Sequence, residues 1–230
     1  MMRKYKCCLL LMALPYWMPM AVAGSAASGV AASAAVIPSP EEDYQAGIEA
    51  DNRGEMLEAG RLYLRAAERG HAAAQAEVAI GLRNASMNKG AFELFRKSAE
   101  QGNTAGMRGL ATMYAESGVA VTQNFTEARK WYTKAADMGD AKAINVMAET
   151  YIKGGLGLSE AERNSPDALS WIKRSADINY PPAMLALADA YRAGKLGLAA
   201  DPNQADEWDA KRSKVLGIVE KKKKKERIFK

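Results

Sequence analysis

The sequence predicts an all-α chain folded as an α/α solenoid of about four to five antiparallel helix hairpins. Three observations predict this class. A segment of about ten residues recurs four times, its small and large apolar positions keep one register, and each copy carries Gly or Asn where a helix would end. The chain has 230 residues, 48% of them hydrophobic, which is enough to bury a core.

The first helix of each hairpin is predicted to end at an anchor residue. The anchors are Gly70, Gly102, Gly139 and Asn179, with periods of 32, 37 and 40 residues, as helix-turn-helix repeats require. Eleven and three residues before each anchor stands Ala, and eight before stands Leu or Trp, so these positions share one helical face. The large residues are Leu62, Leu94, Trp131 and Trp171.

A second helix is predicted after each anchor. Positions 4, 8 and 12 residues on are mostly Ala, Leu, Met or Tyr, which makes a nearly straight apolar stripe. The twelfth positions are Leu82, Tyr114, Tyr151 and Tyr191. A first helix at 44–50 that matches the repeat pattern only weakly, and a partial last unit around Trp208, are expected to cap the array.

Both ends are predicted to lie outside the fold. Residues 1–23 read as a signal peptide, because a basic start precedes a short apolar run that ends in Ala-Val-Ala. Both Cys residues stand in this segment, so cleavage would remove all thiol chemistry. Residues 24–40 read as a flexible Ala/Ser/Pro linker, 41–219 as the solenoid and 220–230 as a basic C-terminal tail.

The formal charge of +5 does not belong to the predicted solenoid. Residues 1–23 carry three basic groups and no acidic one, and the tail carries seven basic groups against two acidic ones, so the segment between them carries −3. An acidic body in an exported chain argues against nucleic acid as partner.

These repeats resemble the Sel-one-like repeat (SLR) family of tetratricopeptide-repeat-like proteins. The resemblance rests on AAxxG at the end of one helix, Tyr twelve residues later and a following EARKWYTKAADMG helix, and it is best over 105–140. It implies a right-handed superhelix that binds proteins. The turn Asn179-Tyr180-Pro181-Pro182 and Leu82 in place of Tyr depart from the pattern.

No chemical motif accompanies the repeats. The sequence lacks GxxxxGK, GxSxG and HExxH, and no cofactor or metal is predicted. His71 follows a turn without a nearby nucleophile, so it is interpreted as a surface or capping residue, and Glu41, Glu42 and Asp43 as acidic groups favourable at a helix start. The protein is therefore predicted not to be an enzyme.

The candidate protein-binding surface is found by helical geometry. Residues six and ten after each anchor point about 160° away from the buried eighth residue. In α/α solenoids this row lines a concave groove. The predicted row comprises Arg108, Thr112, Asn145, Glu149, Leu185 and Asp189, with Ala76 and Ile80 in the first hairpin.

The tail has two interpretations. Its charge run is either a solvated extension or a segment that docks on anionic lipid or envelope polymer. The docking residues would be Lys221, Lys222, Lys223, Lys224, Lys225 and Arg227.

The sequence thus predicts an exported envelope scaffold or adaptor, periplasmic or alternatively secreted, that binds another envelope or secreted protein. Two alternatives stay open, both drawn from the resemblance. One is an immunity or inhibitor protein for a secreted toxin. The other is a β-lactam-acting hydrolase, which the absence of Cys from the mature chain disfavours.

Overall fold

The computed structural model describes residues 37–116 and 121–217, and over these ranges the chain is all helix and loop. The helices are α1 (Pro40–Arg53), α2 (Met56–Glu68), α3 (Ala72–Asn84), α4 (Asn88–Glu100), α5 (Thr104–Ala115), α6 (Phe125–Asp137), α7 (Ala141–Lys153), α8 (Glu160–Arg163), α9 (Pro166–Asp177), α10 (Pro181–Ala193) and α11 (Pro202–Val215). The predicted signal peptide, most of the linker and the basic tail lie outside the described residues. Within those residues, no helix combines the length and the apolar composition that crossing a membrane would require.

The four anchors adopt the left-handed backbone conformation that the repeat predicts. Their φ angles are +91° at Gly70, +86° at Gly102, +85° at Gly139 and +64° at Asn179. Gly lacks the Cβ that disfavours this region, and Asn tolerates it better than most residues. Each anchor separates two consecutive helices, which confirms the predicted helix-turn-helix repeat.

The residue after the anchor caps the second helix in the first three hairpins. Each of these side chains accepts a hydrogen bond from the backbone N–H three residues on, at 2.8 to 3.1 Å. The caps are His71, Asn103 and Asp140. Such a bond satisfies one of the free N–H groups at a helix start, and it confirms the capping interpretation of His71.

The fourth hairpin has no such cap. Tyr180 stands at the N-cap position, its side chain makes no capping hydrogen bond, and Pro181 and Pro182 follow it. Pro181 and Pro182 have no N–H, and the N–H of Ala183, which corresponds to the donor capped in the other hairpins, bonds the Tyr180 carbonyl at 3.1 Å. The Tyr180 side chain is therefore available for another contact.

Small residues form the centre of each repeat. The Ala residues eleven before and nine after each anchor are fully buried, which lets neighbouring helices approach closely. They are Ala59, Ala79, Ala91, Ala111, Ala128, Ala148, Ala168 and Ala188. The chain divides into two compact units, and the boundary falls between Gly109 and Leu110 within α5.

The large positions pack less uniformly than predicted. Leu62 and Trp171 are buried, but Leu94 and Trp131 are only half-buried. The residues directly after the latter two, Phe95 and Tyr132, fill the core instead, at 2% and 6% exposure. Consecutive residues of a helix point about 100° apart. A rotation of the helix about its axis therefore moves the first large residue out of the core and the next one into it.

A three-residue insertion distinguishes the loop between α7 and α9. From the Tyr that ends one hairpin to the first buried Ala of the next helix, this loop is three residues longer than its two counterparts. The insertion forms the short helix α8, which begins at a capping box between Ser159 and Glu162. The increase of the period from 37 to 40 residues indicates extra residues here, but not this helix.

Candidate functional site

In the second unit, the predicted row lies at the surface of α7 and α10. Asn145 and Glu149 are half-buried on α7, and Leu185 and Asp189 are exposed on α10. The two helices lie side by side, joined through the side chains described below. These four residues are called the α7/α10 row.

Glu149 connects the row to the uncapped fourth turn. Its carboxylate accepts a hydrogen bond from the Tyr180 hydroxyl and forms an ion pair with Lys153 at 3.0 Å. The Tyr180 hydroxyl, followed by Lys153, holds the pKa of Glu149 below its ordinary value of 4.5. The same bond, with burial, raises the pKa of Tyr180 to about 12. At neutral pH the site is therefore a carboxylate held by a neutral phenol.

Asn145 is also held from outside its helix. The Ser175 hydroxyl on α9 donates to its Oδ1 atom at 2.7 Å. Ser175 is itself fully buried, so this bond satisfies a polar group that would otherwise be costly in the core.

The α10 end of the row combines an apolar and a charged residue. Leu185 is exposed at 38%. Asp189 pairs with Arg192 at 2.7 Å, and the same guanidinium reaches Asp209 on α11 at 2.6 Å. The arrangement offers an apolar contact beside carboxylates.

The remaining predicted row residues are less accessible. Arg108 and Thr112 are half-buried on α5, and the Thr112 hydroxyl shares a hydrogen bond of 2.8 Å with the Tyr132 hydroxyl. The prediction that places Ala76 on this open face is wrong, because Ala76 is 1% exposed. Helix α3 packs against both α2 and α4, which covers more than one side of it.

A second carboxylate cluster, which the sequence does not indicate, lies in the first unit. Asp43 is 1% exposed and accepts hydrogen bonds from Arg65 on α2 and from Arg69, which follows the end of α2. Arg65, more than Arg69, lowers the pKa of Asp43 from its ordinary value of 3.8. Glu41 contacts Nε2 of His71 at 2.8 Å. These contacts hold α1 on its neighbours, so the acidic helix start has a tertiary role.

In residues 37–116 and 121–217 no three His, Cys, Asp or Glu side chains are grouped so that they could hold a metal ion. The sequence reasoning missed the Tyr180–Glu149 bond. The sequence signal for it is Tyr180 itself, which stands where the other hairpins carry a capping His, Asn or Asp.

The Sel1 repeat model matches residues 44–71, 81–103, 104–140 and 181–208, together half of the chain. Sel1 repeat proteins are in general scaffolds for protein–protein interaction and typically non-catalytic. A comparison with curated proteins found no match.

Solved structures of similar proteins share the fold. An SLR-fold protective antigen present in uropathogenic Escherichia coli strains is 27% identical with a TM-score of 0.65, over 76% of this chain and 38% of that one. A Sel1 repeat protein from Oxalobacter formigenes is 26% identical with a TM-score of 0.58, over 75% and 70% of the two chains. A putative Sel1 repeat protein from Klebsiella pneumoniae is 18% identical with a TM-score of 0.51, over 76% and 86%. This chain thus spans less than half of the first of these proteins.

Proposed function

This chain belongs to the Sel1 repeat family, and we propose that it is an exported, non-enzymatic scaffold of the bacterial cell envelope that binds another protein at the α7/α10 row. Export rests on the leader-like residues 1–23. Similarity to a bacterial protective antigen agrees with an exported protein.

The observation that carries the binding proposal is the Glu149 carboxylate, which the Tyr180 hydroxyl and Lys153 orient while its side chain stays 34% exposed. Leu185 is exposed on the neighbouring helix α10. A carboxylate that is oriented in advance and still accessible can bind a donor group of a partner without first being ordered. The fixed Glu149 carboxylate and the Asp189 carboxylate favour a partner segment with an apolar anchor and basic or N–H donor groups.

Site-specific photo-crosslinking in the native envelope tests the proposal. A photoreactive amino acid at Leu185 is expected to give a discrete crosslinked product. The same group at Ser170, exposed on α9, serves as the control for random encounter and should give none. The change Asp189→Lys should weaken capture. Equal crosslinking from both positions, or no product from Leu185, would count against the row.

Export is tested separately. Mass spectrometry of the protein from a periplasmic fraction should show an N-terminus at Gly24. A cytoplasmic protein that retains residues 1–23 would overturn this part of the proposal alone.

A further inference from the structure

A cleft of about 630 Å³ lies in the second unit beside α8, apart from the turn at Tyr180. It is an open cleft lined by the last turn of α7, by α8, by Ile172 of α9 and by α10 from Ala186 onward with the loop that follows it. Its volume lies within the range of sites that bind small molecules or short peptide segments. It shares only Asp189 with the α7/α10 row.

The insertion that forms α8 shapes this cleft. In the other two loops, the carbonyl of the Tyr that ends the hairpin accepts a hydrogen bond from the backbone N–H of the next helix's cap, at 2.8 and 2.9 Å. In the longer loop, Nε of Arg163 on α8 takes that place and donates to the Tyr151 carbonyl at 3.2 Å. A second guanidinium nitrogen donates to Ile152 at 3.0 Å. In this loop the donor to the Tyr carbonyl is therefore a charged side chain, whereas in the other two loops it is a backbone N–H group.

The floor of the cleft is apolar. Ile172 and Ala190 are buried, and the partly buried Ile152, Ala186 and Leu196 complete the surface. Most of these residues belong to the core cluster around Leu187, so the cleft opens onto an edge of the core itself. Covering this edge with an apolar side chain would be favourable.

The rim carries cations that lack carboxylate partners. Arg163 bonds to neutral carbonyls, and Lys195 is exposed and forms no ion pair in the described part of the chain. Arg192 is already neutralised by Asp189 and Asp209. One rim carboxylate, Glu160, also lacks an ion pair among those residues.

The complementary ligand combines an apolar group, a carboxylate and N–H donors. Arg163 and Lys195 suit the carboxylate, and Glu160 can accept from an N–H group. A simple fatty carboxylate has no such donor, whereas the end of a polypeptide has all three features. We propose that the α8 cleft binds the C-terminal end of a partner polypeptide whose last side chain is apolar.

NMR titration of the ¹⁵N-labelled full chain tests this proposal. The probe is acetyl-Ala-Leu with a free carboxylate, compared with the same peptide as its C-terminal amide and with octanoate. The free peptide should shift the signals of Ile152, Ala190 and Leu196, and the amide should bind about tenfold more weakly, because it loses a charge-assisted bond.

Two variants and a matched control locate the site. Lys195→Gln should weaken the carboxylate peptide at least about fivefold, as the loss of one charge-assisted bond requires. Ala186→Phe, which fills the floor, should abolish binding. Lys142→Gln changes an exposed lysine in the first turn of α7, the helix whose last turn lines the cleft, and should leave binding unchanged.

Equal affinity for peptide and amide, tighter binding of octanoate, or an equal effect of Lys142→Gln would overturn the proposal. Because Lys195 is exposed, its variant remains informative even if Ala186→Phe fails to fold. A negative result here leaves the α7/α10 row untouched, since Leu185 does not line the cleft.

Discussion

Asp43 in the first unit and Glu149 in the second are both bonded carboxylates, but their surroundings are opposite. Asp43 is 1% exposed and bonded by two arginines of its own unit. The Glu149 side chain is 34% exposed and bonded by one phenol and one lysine. The Asp43 carboxylate is buried and fully bonded inside its unit, so only folding uses it. The Glu149 carboxylate is oriented by its bonds and remains accessible to solvent. A fixed but accessible carboxylate is what a binding surface needs.

The largest expected difference is in stability. Asp43→Ala should lower the free energy of unfolding by about 3 kcal/mol, because it leaves two arginines at a site built for a carboxylate. Glu149→Ala should cost about 1 kcal/mol, since its partners can turn to water. Urea denaturation of both variants measures the difference. Equal losses would mean that Glu149 is as structural as Asp43.

Tyr180→Phe isolates the bond that orients Glu149. The ring is kept and the hydroxyl is lost, so the expected cost is about 1 kcal/mol. The variant should fold as the parent does and bind the row's partner more weakly, because Glu149 is no longer fixed. A Tyr180→Phe protein with unchanged stability and unchanged capture would show that the hydroxyl contributes nothing.

The cost of Tyr180→Phe should also depend on pH. The pKa of Glu149 is lowered from 4.5, so its contribution is present above that value and is lost as the pH falls through the folded pKa. The pKa of Tyr180 is raised from 10.0 to about 12, so its contribution is present below 10.0 and is lost as the pH rises towards 12.

The stability difference between parent and Tyr180→Phe should therefore be largest between these limits and shrink at both. Denaturation at a series of pH values measures it. Asp43→Asn provides the contrast: its difference from the parent should shrink only on the acid side, below the ordinary pKa of 3.8. A difference that does not change with pH would mean that the bond is absent in solution.

The sequence predicted the framework of both sites and placed Glu149 on the candidate surface, but it did not reveal the bonding partners of either carboxylate. Helix periodicity and the left-handed anchors depend on local spacing, which a single chain displays. The Asp43–Arg65 and Glu149–Tyr180 bonds join residues 22 and 31 positions apart, and they depend on how hairpins pack. A rule based on the helix dipole accounts for Asp43 at a helix start, so the arginines that enclose it went unforeseen.

The α8 insertion illustrates the same limit. Loop length revealed that three residues are extra, but not that they form a helical turn or that Arg163 replaces a backbone donor. Whether Arg163 can reach the Tyr151 carbonyl depends on how the flanking helices pack. The repeat pattern in the sequence contains no information on that packing.

The smallest expected effect concerns Lys153, the second partner of Glu149. Its side chain is 63% exposed and the pair spans four residues of one helix, so Lys153→Gln should cost only about 0.3 kcal/mol and less in high salt. Arg65→Gln is the counterpart in the first unit and should cost several times more, because Arg65 bonds a buried carboxylate. Denaturation at low and high salt compares them. A large, salt-resistant loss for Lys153→Gln would place Glu149 with Asp43 as a structural carboxylate and remove the main reason for assigning it to a binding surface.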